Sequence, residues 1–225
     1  MSAPLFTPSL SILPPAQKTL WPELSVTPSH FALYGGTALA LRLGHRTSVN
    51  FDFFSTMPFD PEQLAQSVPY LVDAERIHVE PNTLTCRIDR NGPVLLSFFG
   101  GLRIGQIAPH EHVQGMNLFV ASILDIAGAK AAVIQKRAEA KDYLDIDALI
   151  RHGVDLSTIL AAGLGVYGRA FNPLVTLKAL SYFEDVPALS KDVRTRLLAA
   201  VAGVQAARLP ALPSLRTPIA IKGDA

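Results

Sequence analysis

A glycine pair at a change of sequence pattern constrains this chain most strongly. The short apolar run 30–34 ends at Gly35 and Gly36, and the Ala- and Leu-rich segment 37–43 that follows is closed by Gly44. This order predicts a strand that passes through a tight turn directly into a helix. Such a turn lets an anion approach the backbone at a helix N-terminus, where free N–H groups carry partial positive charge. A plain tight turn without a ligand is the alternative that the glycines leave open.

The next segment, 48–55, alternates apolar and polar residues with the period of a half-buried strand. Asn50 and Asp52 are therefore predicted to point to the same face of a sheet. Mg²⁺ prefers oxygen ligands and commonly combines one or two carboxylates with substrate phosphates and water, so these residues are candidate metal ligands. Asp52 is equally compatible with a solvent-facing position or with an ion pair to Arg42 or Arg46.

The flanking segments predict the rest of an α/β core. A proline pair predicts a short helix that begins at Pro14 or Pro15. Pro-Asn and Asn-Gly dipeptides separate three further strand-like runs, so the sheet is predicted to be mixed and mostly antiparallel. The predicted elements are a helix over 61–68 and strands over 76–80, 84–89 and 94–99. The cluster His110-Glu111-His112 is predicted as a solvent loop.

From residue 121 onward the pattern becomes helical. Apolar residues recur at helical spacing in segments 121–137, 141–152, 156–163, 172–182 and 190–207. The predicted organisation is an α/β core over 1–120, a helical lobe over 121–208 and an extended or disordered tail over 209–225.

Composition and motifs exclude several classes of protein. Twenty basic and nineteen acidic residues give a net charge of +1, which provides no global attraction to nucleic acid or an anionic membrane. The single cysteine, Cys86, cannot form an intramolecular disulfide, and no signal peptide or bilayer-spanning run is evident, so a cytoplasmic protein without membrane association is predicted. Zinc-ligand spacings, a G-x-S-x-G elbow and the common glycine-rich phosphate motifs are lacking.

Two separated segments together resemble one known family. The segment 34–55, YGGTALALRLGHRTSVNFDFFS, resembles the AbiEii/AbiGii toxin family of nucleotidyltransferases, which is related in fold to DNA polymerase β. The segment 125–150, DIAGAKAAVIQKRAEAKDYLDIDALI, is similar to that family's later Ala-Lys followed by a Lys/Arg-Asp-aromatic-x-Asp signature. The resemblance implies an α/β (α+β) fold, with a polymerase-β-like nucleotidyltransferase core and a C-terminal helical lobe.

The resemblance also implies roles for residues in both segments. They are catalytic roles for Asp52, Lys130 and Asp142; nucleotide binding by Gly35, Gly36, Thr37, Arg46, Lys130 and Asp145; and binding of Mg²⁺ (or Mn²⁺) by Asp52 and Asn50. Asn50 stands where the family usually has its first aspartate, and Ser97 aligns with a third acidic position. From the residues alone, Lys130 and Asp142 are equally compatible with a solvated helix face, on which Lys130 would snorkel beside an apolar stripe.

The function that the resemblance implies is transfer of a nucleoside monophosphate from a nucleoside triphosphate to an RNA (tRNA) or protein acceptor. The setting it implies is a toxin–antitoxin or phage-defence pair, with a cognate antitoxin as partner. Four basic residues could line a groove for a phosphate-rich acceptor or form an ordinary surface; they are Arg42, His45, Arg46 and Arg103. Because Asn50 and Ser97 carry no charge, a catalytically degenerate nucleotide-binding or protein-interaction module of the same fold is the second hypothesis.

Overall fold

The computed structural model describes residues 3–218 and divides the chain into two compact units. The first unit comprises Met1–Leu102 and Pro109–Ala121, and the second comprises Arg103–Ala108 and Ser122–Ala225. Eight strands and eight α-helices occur among the described residues, which confirms the predicted mixed α/β fold.

The eight strands form one sheet in the first unit. They are β1 (Leu5–Phe6), β2 (Ala32–Tyr34), β3 (Asn50–Phe54), β4 (Glu75–Glu80), β5 (Thr83–Asp89), β6 (Pro93–Phe99), β7 (Glu111–Val113) and β8 (Phe119–Val120). Their order across the sheet is β1-β7-β8-β2-β3-β6-β5-β4. Neighbours β2–β3, β4–β5, β5–β6 and β7–β8 run antiparallel, whereas β1–β7, β2–β8 and β3–β6 run parallel. The helices of this unit are α1 (Pro15–Leu20), α2 (Gly35–Leu43) and α3 (Pro61–Ser67).

The two faces of the sheet differ in burial, as the alternation along β3 shows. Phe51 and Phe53 are fully buried, while their neighbours on the strand are half-buried. The ring of Phe53 stacks on Phe98 of β6 with centroids 4.9 Å apart, and Trp21 packs on Phe51 at 6.1 Å. The face that carries Phe51 and Phe53 therefore forms the core. The residues that alternate with them along β3, including Asp52, lie on the other face.

The strand register places polar residues side by side on that second face. Asp52 of β3 is paired with Tyr34 of β2 on one side and with Ser97 of β6 on the other, and Ser97 is in turn paired with Thr85 of β5. Residues opposite one another in register share a face of the sheet. These four residues therefore form a continuous row across four strands.

The prediction of a solvent loop at His110-Glu111-His112 is wrong. Residues 111–113 form β7, and Glu111 accepts a hydrogen bond from Arg42 Nη1 at 2.9 Å, with both side chains largely buried. The guanidinium of Arg42 also lies 4.6 Å from the ring centroid of Phe6 in β1. A strand of three residues is too short to show an alternating pattern, and one of its two partners, β1, is distant in sequence.

The second unit contains five helices among its described residues. They are α4 (Ile123–Val133), α5 (Ala140–Arg151), α6 (Leu156–Tyr167), α7 (Pro173–Ala179) and α8 (Lys191–Ala202). Helices α4 and α6 approach so closely at Gly128 that a Cβ atom there would lie 2.6 Å from the carbonyl oxygen of Ala162.

The segment 103–108 belongs to the second unit because a buried carboxylate holds it there. Asp125 of α4 is fully buried and accepts hydrogen bonds from the backbone N–H of Ile107 at 2.8 Å and from the hydroxyl of Ser122 at 2.6 Å. Gln106 N donates to the carbonyl of Arg216 at 2.8 Å, so part of the predicted tail contacts the same segment. Residues 219–225 of that predicted tail lie outside the described residues.

Within residues 3–218 no single helix is long and apolar enough to cross a bilayer; Ala140–Arg151 and Leu156–Ala170 reach the required length and composition only as a pair bent by 116°.

Candidate functional site

The glycine pair forms the junction between β2 and α2, as predicted. Gly35 opens α2 and has a φ of 72°, a left-handed conformation that favours glycine. The N-cap residue, Tyr34, provides no side-chain cap for the first turn of the helix. The backbone at this helix N-terminus therefore has the character of an anion-binding turn.

An acidic and a basic side chain pack directly against the two glycines. A Cβ atom at Gly35 would lie 2.5 Å from Oδ2 of Asp52, and a Cβ atom at Gly36 would lie 2.5 Å from Nη2 of Arg46. Gly35 is therefore favoured by backbone conformation and by the close approach of Asp52, whereas Gly36 leaves room for the guanidinium of Arg46. The structure thus brings the predicted residues Gly35, Gly36, Arg46 and Asp52 together at one turn.

Thr37 joins this turn to the neighbouring strand. It is fully buried, and its hydroxyl bonds to the carbonyl of Asn50 and lies 2.8 Å from the hydroxyl of Ser48. Because the hydroxyl is used within the protein, a nucleotide contact by Thr37 would involve its backbone N–H.

The residues beside Asp52 on the sheet determine how many charged ligands a metal ion could find there. Ser97, the neighbour of Asp52 in register, is largely buried and accepts a hydrogen bond from the hydroxyl of Thr85 at 3.2 Å. Within residues 3–218 no group of three or more His, Cys, Asp or Glu side chains could hold a metal ion. Asp52 and Asn50 together offer one charged and one neutral ligand, which fits a Mg²⁺ that takes its other ligands from phosphate and water.

Two contacts of Tyr34, the residue before the glycine pair, were not anticipated from the sequence. The ring of Tyr34 stacks on Phe54 with centroids 4.8 Å apart, and its hydroxyl lies 3.3 Å from Nε2 of His110. The alternation of β3 indicated that Phe54 shares a face with Asp52, whereas nothing local in the sequence links His110 to Tyr34.

The second group of predicted residues forms a buried ionic cluster within the second unit. Lys130 Nζ of α4 lies 2.6 Å from Oδ2 of Asp145 and 3.4 Å from Oδ1 of Asp142, both on α5. Arg137 Nε donates to Asp142 Oδ2 at 2.8 Å. Lys130 is 5% exposed and both aspartates are fully buried, so a solvated helix face is the wrong interpretation of these residues.

Cys86 has the character of a structural residue. The thiol is free and buried on β5, and burial raises the pKa of the thiol above its usual value. A raised pKa disfavours the reactive thiolate at neutral pH. This agrees with the lack of a recognisable nucleophile motif in the sequence.

Replacing Gly35 with alanine should strongly destabilise the first unit. The variant combines an unfavourable φ with a clash against Asp52, whereas Gly115→Ala is a matched control: Gly115 has a φ of 78° and no heavy atom within 4 Å of the added Cβ. We expect a loss of about 1 kcal/mol for Gly115→Ala and about 2 kcal/mol or more for Gly35→Ala, measured by urea unfolding. Equal losses would show that Asp52 does not pack against the turn.

Replacing Lys130 with methionine should destabilise the protein by about 3–5 kcal/mol, because Asp145 and Asp142 lose the buried ammonium between them while Asp142 keeps its bond to Arg137. The matched control is Lys136→Met, a change of the same residue type at an exposed position shortly after α4, with an expected effect within about 0.5 kcal/mol. Urea unfolding measures both. A Lys130→Met variant as stable as the control would contradict the buried cluster.

The sequence matches a family model over most of its length. The model is described as "Nucleotidyl transferase AbiEii toxin, Type IV TA system", and the match covers residues 23–215. The chain is also 34% identical over 158 residues to the uncharacterized protein aq_aa25 of Aquifex aeolicus (strain VF5), which covers 69% of this chain and 74% of the relative.

Two solved structures have a similar fold. MenT4, a nucleotidyltransferase toxin from Mycobacterium tuberculosis H37Rv, superimposes with a TM-score of 0.57 over 85% of this chain and 83% of its own, at 17% identity. A candidate nucleotidyltransferase from H. pylori superimposes with a TM-score of 0.50 over 83% of this chain and 90% of its own, also at 17% identity. At this identity the likeness shows the fold alone. The family match over residues 23–215 shows that the protein belongs to the AbiEii nucleotidyl transferase toxin family.

Proposed function

We propose that this protein is a metal-dependent nucleotidyltransferase that transfers a nucleoside monophosphate from a nucleoside triphosphate to an RNA (tRNA) or protein acceptor. The observation that carries the proposal is the convergence of the Asp52 carboxylate and the Arg46 guanidinium on the two glycines that open α2. Nucleotidyl transfer requires a site that binds phosphate, a carboxylate that binds a divalent metal and a positive charge beside the phosphates. The glycine turn, Asp52 and Arg46 can provide these three. Membership of a nucleotidyltransferase toxin family supports the same conclusion.

The triphosphate would be bound mainly by the backbone. Gly35, Gly36 and Thr37 supply the N–H groups of the first helical turn, and the glycines allow close approach of phosphate oxygens. Arg46 lies against Gly36, where its guanidinium can form paired hydrogen bonds to a phosphate.

Asp52, with Asn50 beside it, would hold the divalent metal, Mg²⁺ or Mn²⁺. When bound, the metal neutralises charge on the phosphates and on the leaving oxygen. Asp52 is the charged ligand and Asn50 contributes a neutral carbonyl. The remaining ligands would be substrate phosphate and water oxygens.

In the transfer step, an acceptor hydroxyl oxygen forms a bond to the α-phosphorus, and the bond between that phosphorus and the bridging oxygen to the β-phosphate breaks. Pyrophosphate leaves, and the hydroxyl proton passes to a carboxylate or to solvent. Following the family resemblance, we assign catalytic roles to Lys130 and Asp142, with Lys130 also binding phosphate, and nucleotide binding to Asp145.

The biological role that this activity supports is that of a toxin, with a cognate antitoxin as partner in a toxin–antitoxin or phage-defence pair. Family membership supports this assignment.

Replacing Asp52 with asparagine should abolish transfer while leaving the fold intact, because the side chain keeps its shape but loses the charge that binds the metal. We expect metal-dependent transfer of labelled nucleotide to a total RNA or protein mixture to fall at least about 100-fold. The matched control, Asp73→Asn, removes an exposed carboxylate of the same unit and should retain activity. Undiminished transfer by Asp52→Asn, with melting temperatures equal across the set, would refute the proposal.

A second candidate function is nucleotide binding without turnover. Two features favour it: Asn50 and Ser97 occupy the places where the resemblance implies carboxylates, and Ser97 lies beside Asp52 in register. In a protein of this kind the fold would bind a nucleotide or a protein partner and the missing charges would prevent catalysis.

Restoring a carboxylate distinguishes the two functions. Asn50→Asp places a second negative charge on the face of Asp52, so we expect Mn²⁺ to bind about tenfold more tightly in the presence of a nonhydrolysable nucleoside triphosphate. Asn117→Asp adds the same charge at an exposed position of the same unit and should leave affinity unchanged. A Mn²⁺ titration monitored by electron paramagnetic resonance measures the affinity of both variants. Equal affinities would argue against a metal site on this face, and transfer by the wild type that depends on Asp52 would exclude the non-catalytic candidate.

A further inference from the structure

A second concave site lies entirely within the helical unit. A cleft of about 560 Å³ is bordered by the end of α4, the connection to α5, helix α7 and the residues that follow it. The residues most relevant to its chemistry are Ile134, Lys136, Tyr143, Lys178, Tyr182 and Asp185. A volume of this size is typical of a site for a small organic ligand.

The charges that line this cleft are unequally compensated. Arg137 is paired with Glu139 and Asp142, so its positive charge is largely neutralised within the protein. Lys136 and Lys178 are exposed, and in the part of the chain that the structure describes neither forms an ion pair. Asp185 contributes one negative charge to the lining. Two lysines therefore give the cleft a positive character that suits an anionic ligand.

The walls of the cleft are apolar and aromatic. Ile134 and Tyr143 are buried, and the hydroxyl of Tyr143 donates to the carbonyl of Ala179 at 3.3 Å, which fixes the ring as part of the wall. Tyr182 is 48% exposed and its hydroxyl donates to Glu184 at 2.8 Å. An exposed ring held by a hydrogen bond at its tip provides a surface on which a planar base can stack.

We propose that this cleft binds a nucleoside phosphate. The phosphate would lie between Lys136 and Lys178, the base would stack on Tyr182, and Asp185 would accept hydrogen bonds from ribose hydroxyls. The site is distinct from the glycine turn and goes beyond the nucleoside triphosphate site of the proposed function. The same chemical unit is present in a free nucleotide and in the terminal nucleotide of an RNA strand.

Binding can be measured by calorimetric titration of the full chain with three probes in the presence of EDTA, which removes the metal expected at Asp52. The probes are AMP, a 5′-phosphorylated triadenylate and adenosine. We expect at least one phosphorylated probe to bind at least about tenfold more tightly than adenosine. Equal binding of AMP and triadenylate identifies a free nucleotide as sufficient, and binding of triadenylate alone identifies an RNA strand. No binding of either phosphorylated probe would overturn the proposal.

Variants of exposed residues locate the bound ligand. Lys178→Glu and Tyr182→Ala should each weaken binding about tenfold, whereas Lys178→Arg should retain it. Lys191→Glu, an exposed lysine of α8 in the same unit, is the matched control and should bind as the wild type does. If neither Lys178→Glu nor Tyr182→Ala weakens binding relative to this control, the ligand does not occupy the cleft and the proposal fails.

The Arg46→Glu variant separates this site from the proposed function, because Arg46 lies against Gly36 and would contact a phosphate at the glycine turn without metal. Binding in EDTA should be unchanged in that variant, at an unchanged melting temperature. If Arg46→Glu abolishes binding while the melting temperature is kept, the nucleotide occupies the glycine turn, which overturns the second site and supports the proposed function. Loss of transfer in Arg46→Glu together with retained binding in EDTA supports both sites independently.

Discussion

The close approach of β3 to the first turn of α2 is the constraint on which the candidate site depends. Side chains are absent at positions 35 and 36, and the carboxylate of Asp52 and the guanidinium of Arg46 occupy the space that they leave. The hydroxyl of Thr37 ties the same turn to the backbone of β3. These few contacts therefore hold the helix N-terminus, the Asp52 carboxylate and the Arg46 guanidinium close to one another. Any change that separates the strand from the helix alters all three.

The long strands of the sheet were predictable because local physics determines them. Strands β4, β5 and β6 lie within a residue or two of their predicted limits. The turns between them are formed by Asn82 and Asn91, both with positive φ, followed in the second case by Gly92. Strands β1, β7 and β8 have two or three residues each, too few to show an alternating pattern. Each also has a partner far away in sequence, because β1 pairs with β7 and β8 pairs with β2.

The candidate site was predictable to the extent that chain order determines proximity. A strand, a glycine turn, a helix and an adjacent antiparallel strand bring Asp52 back to Gly35, and the structure has this arrangement. The pairing of Lys130 with Asp142 and Asp145 was not predictable, because spacing along α4 and α5 does not reveal which helix faces meet. Burial of so many charges is sustained by mutual pairing, since each ion would be costly to bury alone.

The buried hydrogen bond between Asp125 and Ile107 has a consequence for how the protein can be divided. The chain passes from the first unit to the second at residue 103, returns at 109 and leaves again after 121. A fragment that starts at Ser122 would retain Asp125 and its bond from Ser122 but lose the hydrogen bond from the N–H of Ile107, and a hydrogen bond to a charged group contributes about 1.5–3 kcal/mol. A single cut before Ser122 therefore separates the helical unit from a segment that bonds to its buried carboxylate. A fragment that contains the whole helical unit must also include the six residues 103–108, which lie in sequence between the two segments of the first unit.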